Sequence, residues 1–241
     1  MLLMRLLDLT LPTAAENLAL DEALLDEAEA AGRPCETLRL WEPAEPLVVI
    51  GRSSKIAVEV RLDACRELAI PVLRRVSGGA AVVAGPGCLM YALVLSYRLR
   101  PELRAVDRAH QFVLNTLAAA LQPFAPGVQC RGISDLAIGP RKVSGNSVRC
   151  KREHLLYHGT LLYDFRLELI DRCLTMPPRQ PDYRAGRGHA EFVANLPLAP
   201  SDIRAALAAA WNATEPLADW PRERTARLVS ERYGREEWNH G

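Results

Sequence analysis

Arg141-Lys142-Val143-Ser144-Gly145 is the stretch on which the reading of this chain turns. Upstream, across the turn residues Gly139-Pro140, runs Asp135-Leu136-Ala137-Ile138, and downstream lies Tyr157-His158-Gly159-Thr160-Leu161-Leu162. A Gly-Pro turn between two short apolar runs predicts a hairpin, with Lys142 at the start of its second strand. Taken alone, a lysine in that place is a solvated charge guarding a sheet edge.

The chain has 241 residues, enough for one large domain. Hydrophobic residues make up 49% and charged residues 24%, as in a globular protein with a core of its own. The net charge of +1 gives no global pull toward nucleic acid. Six scattered cysteines without CxxC spacing argue against a zinc site or disulfide scaffold and fit a reducing cytoplasm. The start Met1-Leu2-Leu3-Met4-Arg5 is too short for a secretory signal, and no run approaches a membrane span.

In chain order, residues 6–9 form a first strand. Thr13-Ala14-Ala15-Glu16 has capping-box spacing and opens a helix with Leu20, Leu24 and Ala28 on one stripe, ending near Gly32. Asn17 and Asp21 beside that stripe stand at the helix end that could face a pocket, and the surface reading is favoured for both. Thr37-Leu38-Arg39-Leu40-Trp41 alternates like a strand with one wet face, whereas Leu47-Val48-Val49-Ile50 is a buried strand. Helices are expected over 58–68, 101–121, 167–174, 201–211 and 221–233, with the longest apolar strand over 89–96. The Pro-, Gly- and Arg-rich segment 177–189 is a long loop able to close over a site. These elements give an α+β chain whose mixed sheet is flanked by helices, with no clear linker.

Arg74-Arg75-Val76-Ser77-Gly78-Gly79 joins two guanidinium groups to a tight turn. Adjacent glycines let backbone N–H groups converge on an anion, and arginine adds bidentate donors, so a phosphate or carboxylate suits this turn. The pattern is neither a GxxxxGK[ST] loop nor a GxGxxG fingerprint. Lys142 near an acyl phosphate could stabilise developing charge. Asp135 could hold Mg2+ or orient an amine. His158 beside Gly159 is either a satisfied core histidine or a pocket residue that lets a ligand approach the backbone closely.

Together and in this order, the clusters resemble the lipoate–protein ligase A family, within the superfamily of lipoate/octanoate transferases and biotin–protein ligases. The residues that carry the resemblance are Asn17-Leu18-Ala19-Leu20-Asp21-Glu22, Val49-Ile50-Gly51-Arg52, Arg74 to Val82, Asp135-Leu136, Arg141 to Ser147, His158 to Leu162 and Asn195-Leu196. The resemblance implies a biotin/lipoate ligase catalytic-domain fold, related to class II synthetase cores, over a single catalytic domain at 1–241. It implies that lipoate attacks the α-phosphate of Mg·ATP to give lipoyl-AMP, and that a lysine ε-amine on a lipoyl-carrier domain then takes the acyl group. By resemblance Lys142 is the catalytic lysine on the acyl carbonyl and α-phosphate. Arg74, Ser77, Gly78, Gly79 and Ala80 line acyl chain and phosphates, joined by Gly145, Ser147, His158, Gly159 and Thr160. Asp135 stands near the phosphates, Mg2+ and the incoming lysine. Val49, Val82 and Leu73 are expected around the dithiolane chain.

The chain departs from that pattern at Ala80, where a third glycine is common, at Val83-Ala84, and at Ser134, where ligases commonly carry Asn. The C-terminal accessory domain of larger ligases is expected to be absent, which admits a separate accessory subunit. The alternative is a cysteine-dependent octanoyl transferase that uses acyl carrier protein and no ATP, with Cys130 as nucleophile ahead of Cys150 and Cys173. A third reading is a non-catalytic subunit that binds acyl group or carrier.

Overall fold

In a computed structural model that describes residues 4–241, strand β1 (Met4–Asp8) leads into helix α1 (Ala14–Ala30). Residues 1–3, the first part of the Met1 to Arg5 stretch read against a secretory signal, lie outside the described residues, and Met4 and Arg5 open β1. The capping box is formed: Glu16 N–H donates to Thr13 Oγ1 at 3.2 Å and Thr13 N–H to Glu16 Oε2 at 2.9 Å. Strands β2 (Thr37–Trp41) and β3 (Leu47–Ile50) follow. The helix expected over 58–68 is two pieces, α2 (Ile56–Glu59) and α3 (Leu62–Glu67), split where Val60 goes extended and bridges to Leu174.

Next come β4 (Val72–Arg74), β5 (Val82–Ala84) and β6 (Cys88–Ser96), the expected long apolar strand. A 3-10 turn at Pro101–Arg104 precedes α4 (Val106–Leu121), so that helix starts later than predicted. The predicted hairpin is β8 (Asp135–Ile138) and β9 (Arg141–Cys150), preceded by β7 (Val128–Arg131) and followed by β10 (His154–Leu162). Then come α5 (Glu168–Cys173), α6 (His189–Phe192), α7 (Pro200–Ala210), β11 (Ala213–Pro216), α8 (Arg222–Leu228) and α9 (Glu236–His240). The sequence pattern did not reveal β11 or α9, both short.

Eight strands form one mixed sheet in the order β11-β1-β2-β6-β10-β9-β8-β7, and β4-β3-β5 form a second, small sheet. Tyr157, Leu155 and Leu161 of β10 pack with Val113 and Leu117 of α4 and Leu207 of α7 on one face of the large sheet. Leu156 packs with Leu20 and Leu24 of α1 on the other. The small sheet packs its own apolar cluster against the start of α1 and α5. The chain is therefore α+β, as expected.

Strand β2 departs from expectation. All five of its residues are buried, because α1 covers the face that the alternation marked as wet. No helix among the described residues is long and apolar enough to cross a membrane, and all six thiols are free.

Candidate active site

The hairpin places Lys142 by a defect in its ladder. Ala137 pairs with Lys142 and Leu136 with Ser144, so Val143 is an extra residue, a β-bulge. In a regular strand residues 142, 144 and 146 would share a face. After the bulge, Lys142 instead shares a face with Gly145, Ser147 and Arg149, while Val143 enters the core.

Lys142 Nζ lies 2.7 Å from Asp135 Oδ1, and a Cβ built on Gly145 would be 2.9 Å from that nitrogen. Lys142 also has strand neighbours on both sides: Val193 bridges to it, and Ala194 N–H donates to its carbonyl at 2.8 Å. It is not a solvated edge charge. The other oxygen of Asp135, Oδ2, accepts from the Tyr183 hydroxyl at 2.8 Å.

The turn that follows β4 is held from behind. Arg75 donates to the Gly78 and Ala80 carbonyls, Ser147 Oγ donates to Gly78 O at 2.9 Å, and Ser54 Oγ donates to Gly79 O at 3.1 Å. Among the described residues nothing accepts from the N–H groups of Gly78, Gly79 or Ala80, which sit at the exposed tip. Carbonyls held from behind and amides left without an acceptor at an exposed turn suit an anion. Gly51 is required beneath the turn, because a Cβ there would come within 2.0 Å of Gly79 O. Burial lowers the pKa of Arg75 to about 10 against the nearby charge of Glu59, so Arg75 is cationic near neutral pH. Glu59 in turn accepts from Ala81 N–H at 2.7 Å.

Arg74, expected to line the phosphates, is placed elsewhere. Its Nε and two Nη atoms donate to the carbonyls of Trp238, Gly51, Arg52, Ser54, Asn239 and Gly241, so all five of its N–H groups face backbone oxygens. Arg74 ties α9 to the 51–54 loop, and Arg75 is the residue that shapes the turn. Neighbours on a strand point to opposite sides.

His158 stands between the turn and α1. Its Nε2 is 2.6 Å from Ser77 Oγ, and its Nδ1 is 3.5 Å from Asp21 Oδ2. Ser77 Oγ also accepts from Arg75 Nε at 3.2 Å, so it is held between Arg75 and His158, and the imidazole bridges Ser77 and Asp21. Asp21 and Asn17 are not surface residues: each is 2% exposed. Arg39, fully buried, donates to Asp21 Oδ1 at 2.5 Å and to Asn17 Oδ1 at 2.6 Å.

Thr160 Oγ1 accepts from Gly145 N–H at 3.3 Å. Gly159, expected to admit a ligand, instead admits Asn146: a Cβ there would fall 1.9 Å from Asn146 Oδ1. Val49 pairs with both Leu73 and Val82, so the three expected wall residues lie side by side in the small sheet. Two clefts, about 410 Å³ beside Cys65 and Asn239 and about 520 Å³ between Ala119 and Ala209, lie away from Lys142.

Cys130 pairs with Leu136, whose side chain is in the α4-side core, while Asp135 and Lys142 face the opposite side. Its thiol sits 3.2 Å from Asn115 Oδ1 of α4, and burial raises its pKa. That environment makes a poor nucleophile.

Tyr183, Asp21, Asn17 and Arg39 complete the cluster: the sequence offers Asn17 and Asp21 a pocket-facing position only as the less favoured reading, Tyr183 only as part of the 177–189 loop, and Arg39 none. Arg149 was also missed. It shares the face of Ser147, and its Nε is buried with no hydrogen-bond partner among the described residues. The array sets unpartnered amides at an exposed turn and the Lys142 ammonium along one face, with one carboxylate beside the lysine.

The model of one protein family, described as lipoyl protein ligase A/B catalytic domain, matches residues 13–206. The octanoyltransferase LipM of Symbiobacterium thermophilum is 26% identical over 98% of this chain and 97% of its own. The solved bi-partite lipoate protein ligase of Thermoplasma acidophilum, studied with its E2 lipoyl domain, superposes with a TM-score of 0.82 at 22% identity, covering 100% of this chain and 97% of that one. A lipoate-protein ligase A solved with ATP bound gives 0.78 at 23% identity, covering 100% and 99%. At those identities the likeness is one of fold. The chain spans about half the length of curated relatives that it matches over 146 and 148 residues, 52% and 42% of them.

Proposed function

We propose, for a chain that belongs to the lipoyl protein ligase A/B catalytic-domain family, the activation of lipoate by ATP to lipoyl-AMP and its transfer to a lysine of a lipoyl domain. The observation that carries this reading is the single bulged face on which Lys142 and Gly145 stand together beside Asp135, with Ser147 linking that face to the Gly78 turn. Activation places negative charge on the α-phosphate and on the departing pyrophosphate. Outward amides of Gly78 to Ala80 meet that charge at fixed positions, and the Lys142 ammonium adds a mobile one. His158, held by Asp21, orients Ser77 within the same turn. Asp135 is the acceptor toward which an incoming amine is drawn.

ATP and lipoate are substrates here. Mg2+ would enter with the nucleotide: no three metal-binding side chains converge among the described residues, and both oxygens of Asp135, the expected ligand, already have partners in Lys142 and Tyr183. We further propose that 1–241 acts as one catalytic unit in the cytoplasm, with no nucleic acid and no membrane as partner. A small accessory polypeptide is proposed as well, in line with the bi-partite ligase of similar fold.

Pyrophosphate release from ATP in the presence of lipoate tests the activation step, run with and without a candidate accessory subunit. No release under either condition would refute the ligase reading. The full-length match to an octanoyltransferase favours a second reading, acyl transfer through a cysteine. Against it stands Cys130 on the core face. Cys130→Ala is expected to change the rate of lipoyl transfer by less than about two-fold, since the thiol faces α4; loss of transfer from octanoyl carrier protein, with ATP irrelevant, would favour the transferase. Binding of lipoate or carrier without turnover would mark a non-catalytic subunit.

A further inference from the structure

The segment 177–189 carries one side chain into the Lys142–Asp135 pair, and the way it is anchored is specific. Arg187 Nη2 donates to the carbonyl of Tyr183 at 2.8 Å and to that of Pro140, at the hairpin tip, at 2.9 Å. The Tyr183 ring packs on Phe192 with centroids 5.1 Å apart. It also covers Gly132, where a Cβ would lie 3.4 Å from the ring. The phenol is thus delivered to Asp135 by a segment tied to the hairpin that bears both charged residues.

Each oxygen of Asp135 has one partner, Lys142 on Oδ1 and Tyr183 on Oδ2. When Lys142 swings toward an acyl phosphate, Oδ1 is vacated but Oδ2 stays anchored. That hydrogen bond opposes rotation of the carboxylate after the lysine and keeps the vacated oxygen turned toward the place the ammonium has left. A second ammonium, that of the acceptor lysine, fits that place in charge and in hydrogen-bonding need. The Tyr183 hydroxyl is the donor in the contact that anchors Oδ2.

We propose that Tyr183 is a positioning residue for the transfer step, holding Asp135 so that its Oδ1 receives the acceptor lysine once Lys142 has moved onto the acyl phosphate. This rests on the ligase reading. The acceptor ammonium, held at Oδ1, loses one proton to solvent before attack. Its nitrogen attacks the acyl carbon, the new C–N bond forms, and the C–O bond to phosphate breaks with its electron pair leaving on AMP. The nitrogen's second surplus proton goes to solvent.

Tyr183→Phe keeps the ring and its packing and removes only the donor. In the full chain the variant should release pyrophosphate from ATP and lipoate within two-fold of the unaltered protein. From synthetic lipoyl-adenylate it should transfer to an E2 lipoyl domain about ten-fold more slowly, at unchanged KM for that domain, the loss expected for one charge-assisted hydrogen bond. Hydroxylamine, an amine largely uncharged near neutral pH, needs no proton removed before attack, so its reaction with lipoyl-adenylate should proceed at the normal rate on the variant. Equal slowing of hydroxylamine and lipoyl domain would make Tyr183 merely structural and overturn the proposal, as would unimpaired transfer or a parallel loss of pyrophosphate release. If the unaltered chain fails to release pyrophosphate yet transfers from synthetic adenylate, the activation reading fails while the role of Tyr183 is still decided by the transfer assay. Transfer by neither overturns both.

Discussion

Lys142→Ala is expected to lower pyrophosphate release from ATP and lipoate by roughly 100- to 1000-fold, the scale for removing one preorganised charge-stabilising donor. Lys142 has both a ground-state partner and a reason to leave it. Asp135 holds its ammonium at 2.7 Å, with the lysine side chain 27% exposed, so the pair is only partly desolvated. A pair in that setting contributes about 1 kcal/mol or less to stability. The fold should therefore survive: for a chain of this size a loss of about 1 kcal/mol moves Tm by roughly 2–4 °C. Steady-state pyrophosphate assays beside a thermal melt check both halves. A variant with near-normal rates would return Lys142 to the role of a structural charge. One with a collapsed Tm would leave the rate uninterpretable, and Lys142→Gln, which keeps the stem, would then take its place.

The largest stability loss should come from Arg39, which stands behind the Ser77 turn through Asp21 and His158. Arg39→Met leaves Asp21 buried without its cation, and breaking a buried pair on one side costs about 3–5 kcal/mol. Natural domains have only about 5–15 kcal/mol in total. A Tm drop of roughly 6–20 °C is expected by circular dichroism. The fully buried guanidinium also donates to the carbonyls of Asn17 at 2.7 Å and Leu9 at 3.1 Å, which lose their partner too. The double variant Arg39→Met/Asp21→Leu removes both charges and should recover a good part of the stability. Activity should not recover with it, because His158 then lacks the carboxylate facing its Nδ1. If the double variant melts no higher than Arg39→Met alone, the pair is not the source of the loss.

How far these residues could be read from sequence depends on what covers them. The run Leu47-Val48-Val49-Ile50 announces a buried strand because both its faces are apolar. Thr37-Leu38-Arg39-Leu40-Trp41 shows an alternation that any half-exposed strand would show. Only the packing of α1 over that face turns Arg39 inward, and the residues on α1 that receive it, Asn17 and Asp21, look like ordinary surface polars for the same reason. Arg74 and Arg75 are identical in type and adjacent, so nothing local could tell the one that clamps α9 from the one that shapes the turn. Tyr183 sits among Pro, Gly and Arg without periodicity, and a loop residue gains its direction only from anchors such as Arg187 and Gly132. Lys142, Asp135, Ser77 and His158 could be picked out by their order along the chain, while the faces they occupy could not.

The extra residue at Val143 makes the spacing of the hairpin a matter of parity. A side chain on a strand has two choices of side, and each added or removed residue reverses the choice for everything beyond it. With the bulge, the three-residue step from Lys142 to Gly145 counts as an even one, so lysine, glycine, Ser147 and Arg149 emerge on the same side. Removing Val143 while keeping Gly145 and the remaining pairing in register would send the lysine among Leu136, Leu117 and Val113 of the apolar interior. A chain of this kind can exchange the chemical identity of position 143 for another apolar residue, but it cannot dispense with the position. Length between Lys142 and Gly145 is thus as strict a requirement as the lysine itself, although no atom of Val143 faces the side on which Lys142 stands.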